Sequence, residues 1–284
     1  MKLKSPLADI YVPDERPLEE ALKRTTHLAV GAHQDDIEIM AYHGIATCYG
    51  AGDQWFSGIT VTDGSGSPRT GKYKDCSDEE MKDIRFQEQK KAALEGKYSV
   101  QIQLRYESKK VKDLAFKGLV TDLFEIFKAT KPNVVYLHNP ADKHPTHVAL
   151  CMRSIEALRK LSMDERPKKV YGCEVWRSLD WLSEKSLVPL SCSDHPELAE
   201  ALVKLYDSQI VGGKRYDLAV TGRRYANATF FETHHIDQSN ALAFAMDLMP
   251  LINDHTASVE AYVMQLIDHF KNDAKSMLRG VSKN

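Results

Sequence analysis

The chain has 284 residues, 43% of them apolar, which is enough to bury a sizeable core in one large or two modest domains. Lys and Arg total 38 against 40 for Asp and Glu, so no basic field exists to hold a phosphate backbone, and nucleic acid is excluded as a principal partner. Met1 leads into the polar Asp14-Glu15-Arg16 without an apolar stretch long enough for a signal peptide or a membrane span, and a soluble cytoplasmic protein with no membrane partner is expected.

Thr26–Ala32 is a short apolar run ending in small residues, and the stretch from about Asp36 to Tyr49, stopped by Gly50 and Gly52, has the length of a helix; a first strand and its crossover helix are predicted. Trp55–Val61 reads as a second strand. Thr62–Lys72, rich in Gly and Ser, reads as a mobile loop. Ser77-Asp-Glu-Glu80 has the Ser-x-x-Glu capping pattern and predicts a helix running towards Gly96, after which Val100–Leu104 alternates like a strand. The pattern repeats with a helix near 114–130, the strand Val134–Leu137, a helix near 146–161 and a strand near Lys169–Val175. Strands alternating with helices of this length predict an α/β fold, Rossmann-like, with a mostly parallel sheet covered on both faces. The last third, from Trp176, carries helices over Leu198–Tyr206 and Val259–Phe270, and no Gly/Pro/Ser linker precedes it. One domain over 1–284 is expected, its core at about 26–175 and a C-terminal elaboration at about 176–284. Five cysteines, Cys48, Cys76, Cys151, Cys173 and Cys192, include no C-x-x-C pair and read mostly as buried thiols.

Ligands bind such sheets outside the carboxyl ends of the strands, and two strand-end loops are loaded with metal-competent side chains. The first reads Ala32-His33-Gln34-Asp35-Asp36-Ile37-Glu38. His33 and Asp36 can ligate one divalent ion from a tight turn, leaving Asp35 free to take a proton, although acidic residues suit any helix N-terminus without a metal. The second reads His138-Asn-Pro-Ala-Asp142-Lys143-His144-Pro145-Thr146-His147, with Pro145 suited to the opening of a helix. Its histidines three apart can divide the work, one ligating and one facing substrate. A His, Asp, His set leaves zinc with open positions, as in a catalytic site.

These two motifs resemble a known family. Ala32–Glu38 is similar to the A-H-P-D-D-x-E signature of the PIG-L/LmbE-like zinc-dependent de-N-acetylases, and His144-Pro-Thr-His147 is similar to their later H-P-D-H. Arg85-Phe-Gln-Glu88 resembles the family's R-x-x-E helix, and Trp176–Trp181, Gly222–Ala226 and Asp247–Leu251 resemble segments of a bacterial subgroup. The resemblance implies His33, Asp36 and His147 as zinc ligands, with iron or manganese as substitutes, Asp35 as general base, and a cationic His144 as electrophile and acid. It also implies substrate contacts from Arg85 and Lys143, placed to meet an anionic group on a small-molecule N-acetylglucosamine conjugate, with an exposed helix residue paired with Glu88 at i+3 as the alternative for Arg85. Such a chemistry suits amide hydrolysis, because a metal-activated water needs a nearby carboxylate to accept its proton.

Three departures from the family pattern bear on these expectations. Gln34 replaces a proline, which loosens the turn. Thr146 replaces an aspartate that would support a histidine, a role Asp142 can take from the other side of His144. Met40-Ala-Tyr-His43 stands where relatives carry glycines, with His43 expected to pack in the helix. Arg223, Arg224 and His234-His235 are candidates to close the pocket, with surface or packing roles as the alternative. A nucleotide-binding module is disfavoured, since no Gly-rich phosphate loop follows any strand. A fold-retaining scaffold that has lost catalysis, and an amidase for a non-sugar N-acyl substrate, stand as alternatives, and a homo-oligomer is left open.

Overall fold

The apolar runs predicted as parallel strands are buried almost along their whole length, because side chains on both faces of the sheet meet other apolar groups. The structure, a computed structural model, describes residues 1–281. Its strands are β1 (Asp9–Tyr11), β2 (His27–Gly31), β3 (Phe56–Thr62), β4 (Val100–Tyr106), β5 (Val134–His138), β6 (Lys169–Cys173), β7 (Leu187–Ser191) and β8 (Leu242–Asp247). They form one sheet in the order β1-β4-β3-β2-β5-β6-β8-β7. Alternation along β2 sends Leu28 and Val30 into one core with Leu123, Phe127 and Ile155, and Ala29 into the other with Ile37, Tyr42 and Tyr136. The helices Gly118–Thr130 and Pro145–Arg159 supply the first core, and Tyr42–Cys48 and Asp78–Glu95 contribute to the second.

The five central strands, β4-β3-β2-β5-β6, pair in parallel. From β2 the chain moves outward to β3 and β4, then returns to place β5 on the other flank of β2. The loops after β2 and β5 therefore meet at the switch point of the sheet, where its carboxyl edge is open to a ligand.

Two features depart from the predicted elements. The helix expected over Asp36–Tyr49 is broken at Ala41 (φ −112°) into Asp36–Met40 and Tyr42–Cys48. Arg224 from the helix Tyr216–Thr229 donates to the carbonyls of Glu38 and Ile39, at 2.9 and 3.1 Å, and so satisfies oxygens that the break releases. Second, three antiparallel strands join the sheet: β1 on β4, and the β8–β7 pair on β6. Pro189 sits in β7, and β7 is an edge strand, where a missing N–H costs no ladder bond. The capping box at Ser77 and Glu80 is formed as the sequence pattern requires.

Candidate active site

The turn after β2 is shaped by steric limits at Gly31 and by strain at Asp35. A Cβ at Gly31 would lie 2.9 Å from Ile37 Cγ1 and 3.2 Å from Asp36 Cβ, so only glycine lets the short helix fold back onto the strand end. Asp35 takes φ +99°, a left-handed conformation that costs on the order of 1–3 kcal/mol in a residue with a side chain and persists only when its surroundings hold it. Gln34 is part of that hold. Its Nε2 donates to Thr62 O at 3.0 Å, fastening to the end of β3 a turn that the loss of proline was expected to loosen.

His33, Asp36 and His147 come together across the switch point. His33 Nδ1 lies 3.2 Å from Asp36 Oδ2 and 3.1 Å from His147 Nε2, and His147 Nε2 lies 3.3 Å from Asp36 Oδ2. Three donors placed tetrahedrally at metal-bond length stand roughly 3.3 Å apart, so these three fit one divalent ion. The same Asp36 oxygen also accepts from His33 N at 2.7 Å and lies 3.3 Å from His138 Nε2. That crowds more nitrogen atoms around one carboxylate oxygen than its lone pairs can serve, as expected of a cluster built around a cation. Two overlapping triplets of ligand-competent residues occur here among the described residues, His33 with His144 and His147, and Asp36 with His138 and His147.

His147 is held for ligation through its other nitrogen. Its Nδ1 lies 3.0 Å from Asp142 Oδ2, which keeps the proton there and leaves the Nε2 lone pair facing the cluster. Asp142 in turn accepts from the backbone N–H of Lys143 and Arg177. Asp142 was expected to support His144 and supports His147 instead. Although burial disfavours its charge, the proton on His147 is kept by Asp36 and Asp142, which raise it to about 9 in the absence of a cation. Burial likewise opposes ionisation of Asp36, but the charge on His147 outweighs it and holds the carboxyl well below the usual range.

His138, at the end of β5, is fully buried and stacks on His147 at 3.8 Å between ring centroids. Its Nε2 accepts the Ala32 N–H at 3.0 Å, which uses the lone pair a metal would need. Burial, reinforced by the nearby His147, lowers it to about 4, so it is a neutral wall of the site. The sequence reading assigned it no role; its place at a strand end immediately before the ligand loop is the signal by which it could have been found. His144 is also driven to about 4, by burial and then by His147 and His33. Its Nδ1 is buried without a hydrogen-bond partner. This environment favours a neutral imidazole at His144 over the cationic one that the resemblance implied, because burial and the neighbouring His147 and His33 outweigh the opposing charges of Asp36 and Asp142.

Asp35 is pushed up to about 7, since burial outweighs the opposing charge of Arg85 while Asp36 adds repulsion. Arg85 donates to Asp35 Oδ2 at 3.3 Å, to the carbonyl of Gln34, and to Glu88 Oε2 at 3.5 Å. Glu88 is fixed in turn by the backbone and side chain of Ser208, at 2.7 and 2.6 Å. With 1% of its surface exposed, Arg85 borders the cavity but gives its guanidinium to the protein, pairing with Glu88 as the alternative reading had it, though buried and not exposed. Gly64 (φ +80°) allows this approach, since a Cβ there would lie 2.8 Å from Arg85 Cβ.

These groups open into a polar cavity of about 350 Å³. His33, Asp35, Asp36, His144 and Thr146 form one side, and Gly64–Pro68 of the loop after β3 another. Trp176, Tyr216, Gln209 and Lys214 come from the last third of the chain, none of them foreseen individually as site residues. Lys143, expected to contact substrate, is exposed and outside this lining, because the inward positions of its loop belong to Asp142 and His144. His43 packs, with Nδ1 2.8 Å from Tyr136 Oη. Arg223 and Arg224 border a neighbouring cavity, and His234 and His235 are exposed.

Residues 28–158 match the family model described as PIG-L: GlcNAc-PI de-N-acetylase. That segment is PIG-L-like. It contains both strand-end loops and Arg85, and it stops short of Trp176 and Tyr216. Solved structures share the fold of the chain. The N,N'-diacetylchitobiose deacetylase of Pyrococcus horikoshii superposes with a TM-score of 0.62 at 16% identity, over 81% of this chain and 86% of that one. The conserved protein TT1542 of Thermus thermophilus gives 0.60 at 17% identity, over 82% and 98%. The 4-carboxy-2-hydroxymuconate hydratase GalB of Pseudomonas putida gives 0.56 at 14% identity, over 79% and 95%. A comparison with curated protein sequences finds no match. Since a hydratase shares the architecture, the reaction has to be argued from the site. No helix among the described residues is long and apolar enough to cross a membrane.

Proposed function

We propose that the protein is a metal-dependent hydrolase that removes the N-acetyl group from an N-acetylglucosamine-type conjugate. The observation that carries this reading is the convergence of His33 Nδ1, Asp36 Oδ2 and His147 Nε2, each within 3.3 Å of the other two, beside Asp35 in a polar cavity. The PIG-L match over 28–158 supports the reaction class, and the deacetylase from Pyrococcus horikoshii shows that the fold accommodates it. His33, Asp36 and His147 would hold the ion, zinc by preference, with iron or manganese as substitutes for this borderline-hard donor set. When bound, the ion supplies Lewis acidity that brings the pKa of water towards neutrality.

The chain's own residues then have distinct tasks. Asp35, carried at the cavity wall and held by Arg85, accepts the proton of the water that attacks the amide carbon. The carbon–nitrogen bond breaks with its electron pair going to nitrogen, which takes a proton, so that acetic acid and a free amine are formed. His144, as a neutral imidazole, donates a hydrogen bond to the oxygen that becomes negative during attack; a neutral donor in a dry site is effective in this role. Asp142 keeps His147 in its ligating tautomer. The Gln209, Lys214 and Ser108 side of the cavity offers polar contacts to sugar hydroxyls.

The test is acetate release from a panel of N-acetylglucosamine conjugates with neutral and anionic aglycones, using zinc-loaded protein. Release from at least one sugar conjugate is expected. Release only from non-sugar N-acetyl amides would move the assignment to a general amidase, and release from neither would reject hydrolysis.

A further inference from the structure

Next to the polar cavity lies a second one of about 150 Å³, which shares Trp176 and Tyr216 with it as a common wall. Its lining is apolar over Ile39, Val175, Ala219, Val220 and Ala243. The charged groups at its edge are engaged elsewhere. Glu174 accepts from Asn227 Nδ2, Phe244 N and Leu179 N, at 2.5, 3.0 and 3.2 Å. Arg223 donates to the carbonyl of Val175, and Arg224 to those of Glu38 and Ile39. A cavity of this size with an apolar lining takes a guest of about six carbons, the size of benzene.

The dividing wall touches the reacting groups. Trp176 stacks against His144 at 6.4 Å between ring centroids and meets Tyr216 edge-to-face at 6.2 Å. Tyr216 lies within the field of Asp35 and Asp36. In an amide substrate the acyl chain is bonded directly to the carbon under attack, whereas the aglycone is a sugar ring away. A cavity that shares this wall with the one holding the reacting groups is therefore placed to receive the acyl chain when the wall opens. Trp176 is 37% exposed, which leaves it room to turn aside.

We propose that the second cavity is an acyl-chain subsite, and that the preferred substrates are amino sugars N-acylated with chains longer than acetyl, up to about six carbons. The inference rests on the amide-hydrolase reading above and deepens it by naming the substrate class. The reaction balances as before: water's oxygen ends on the acyl carbon, one of its protons on the amine nitrogen, and the products are a short fatty acid and a free amino sugar.

The experiment measures kcat/KM of zinc-loaded protein on glucosamine conjugates carrying acetyl, butanoyl, hexanoyl and decanoyl groups. A parallel arm uses alkyl glycosides of N-acetylglucosamine with the same chain lengths. Each methylene buried in the subsite should raise kcat/KM about fourfold up to hexanoyl, decanoyl should fall back, and the alkyl glycosides should show no such rise. Ala219→Phe, at an exposed helix position on the cavity's border, should erase the preference for hexanoyl over acetyl. A steady fall from acetyl upward, with acetyl still released, overturns the subsite and leaves the deacetylase reading intact. A rise along the glycoside series alone assigns the cavity to the aglycone and overturns the acyl proposal, as does an unchanged length preference in Ala219→Phe. No hydrolysis in either series overturns both readings.

Discussion

Asp142 Oδ2 and His147 Nδ1 stand 3.0 Å apart, both side chains buried, and this contact decides which nitrogen of His147 is free to bind a metal. Replacing the carboxylate by an amide weakens that choice of tautomer without emptying the space. Asp142→Asn is expected to reduce zinc affinity about 10–100-fold, the usual worth of such a supporting residue. Titration of the metal-free variant with zinc by calorimetry checks this; wild-type affinity would remove Asp142 from the site's support.

Asp35 borders the cavity and lies outside the proposed ligand set. Asp35→Asn should keep its metal and lose roughly two to four orders of magnitude in turnover. Metal content and kcat measured on the same preparation separate the two effects. A near-normal rate would exclude Asp35 as the base.

Arg85 offers a choice between two roles with different kinetics. A free substrate contact would, when removed, raise KM for anionic aglycones more than for neutral ones. Because its guanidinium is buried between Asp35 and Glu88, Arg85→Ala is expected to lower kcat alike for both substrate types. It should also destabilise the fold by about 3–5 kcal/mol, the cost of leaving buried charge unpaired. Urea denaturation and parallel kinetics on the two substrates read out both consequences, and a KM effect confined to anionic conjugates would restore the substrate role.

Stability should depend on pH through His27, at the start of β2, the end of the strand away from the ligand loop. It is buried in β2, with Nδ1 3.3 Å from Cys48 Sγ, and burial followed by the charge of His43 lowers it to about 4. Its folded pKa lies below the unfolded value, so between about pH 6.5 and 4 the unfolded chain binds the extra proton. The stabilisation is present above pH 6.5 and lost as pH falls, by at most about 3 kcal/mol. Denaturation midpoints across this range for wild type and His27→Gln should show a shallower slope in the variant; equal slopes would assign the acid sensitivity to other groups.

The parallel half of the sheet was legible because its strands and helices follow hydrophobic period and local caps, as at Val134–Leu137 and Ser77–Glu80. Antiparallel strands β7 and β8 were not, because Pro189 reads as a breaker until its edge position is known, and β8 is a short apolar run equally compatible with a helix. The two strand-end loops were legible from residue type and spacing. What they lacked was the partner of each side chain: Arg85 meets Asp35 across 50 residues, and Asp142 turns to His147 in place of His144. The break at Ala41 likewise depends on Arg224, far along the chain. Helical spacing could indicate the run Asp36–Tyr49, but no local signal marks where a distant guanidinium will take its carbonyls.

The central claim is that His33, Asp36 and His147 hold one ion that hydrolysis requires. Its most direct measurement is acetate release from a responsive N-acetylglucosamine conjugate as metal-stripped protein is titrated with zinc, with Asp36→Ala alongside. The account predicts no release without metal, activity that rises to a plateau at one equivalent, and neither binding nor recovery in Asp36→Ala. Undiminished release from the stripped protein, or full recovery in Asp36→Ala, would contradict it.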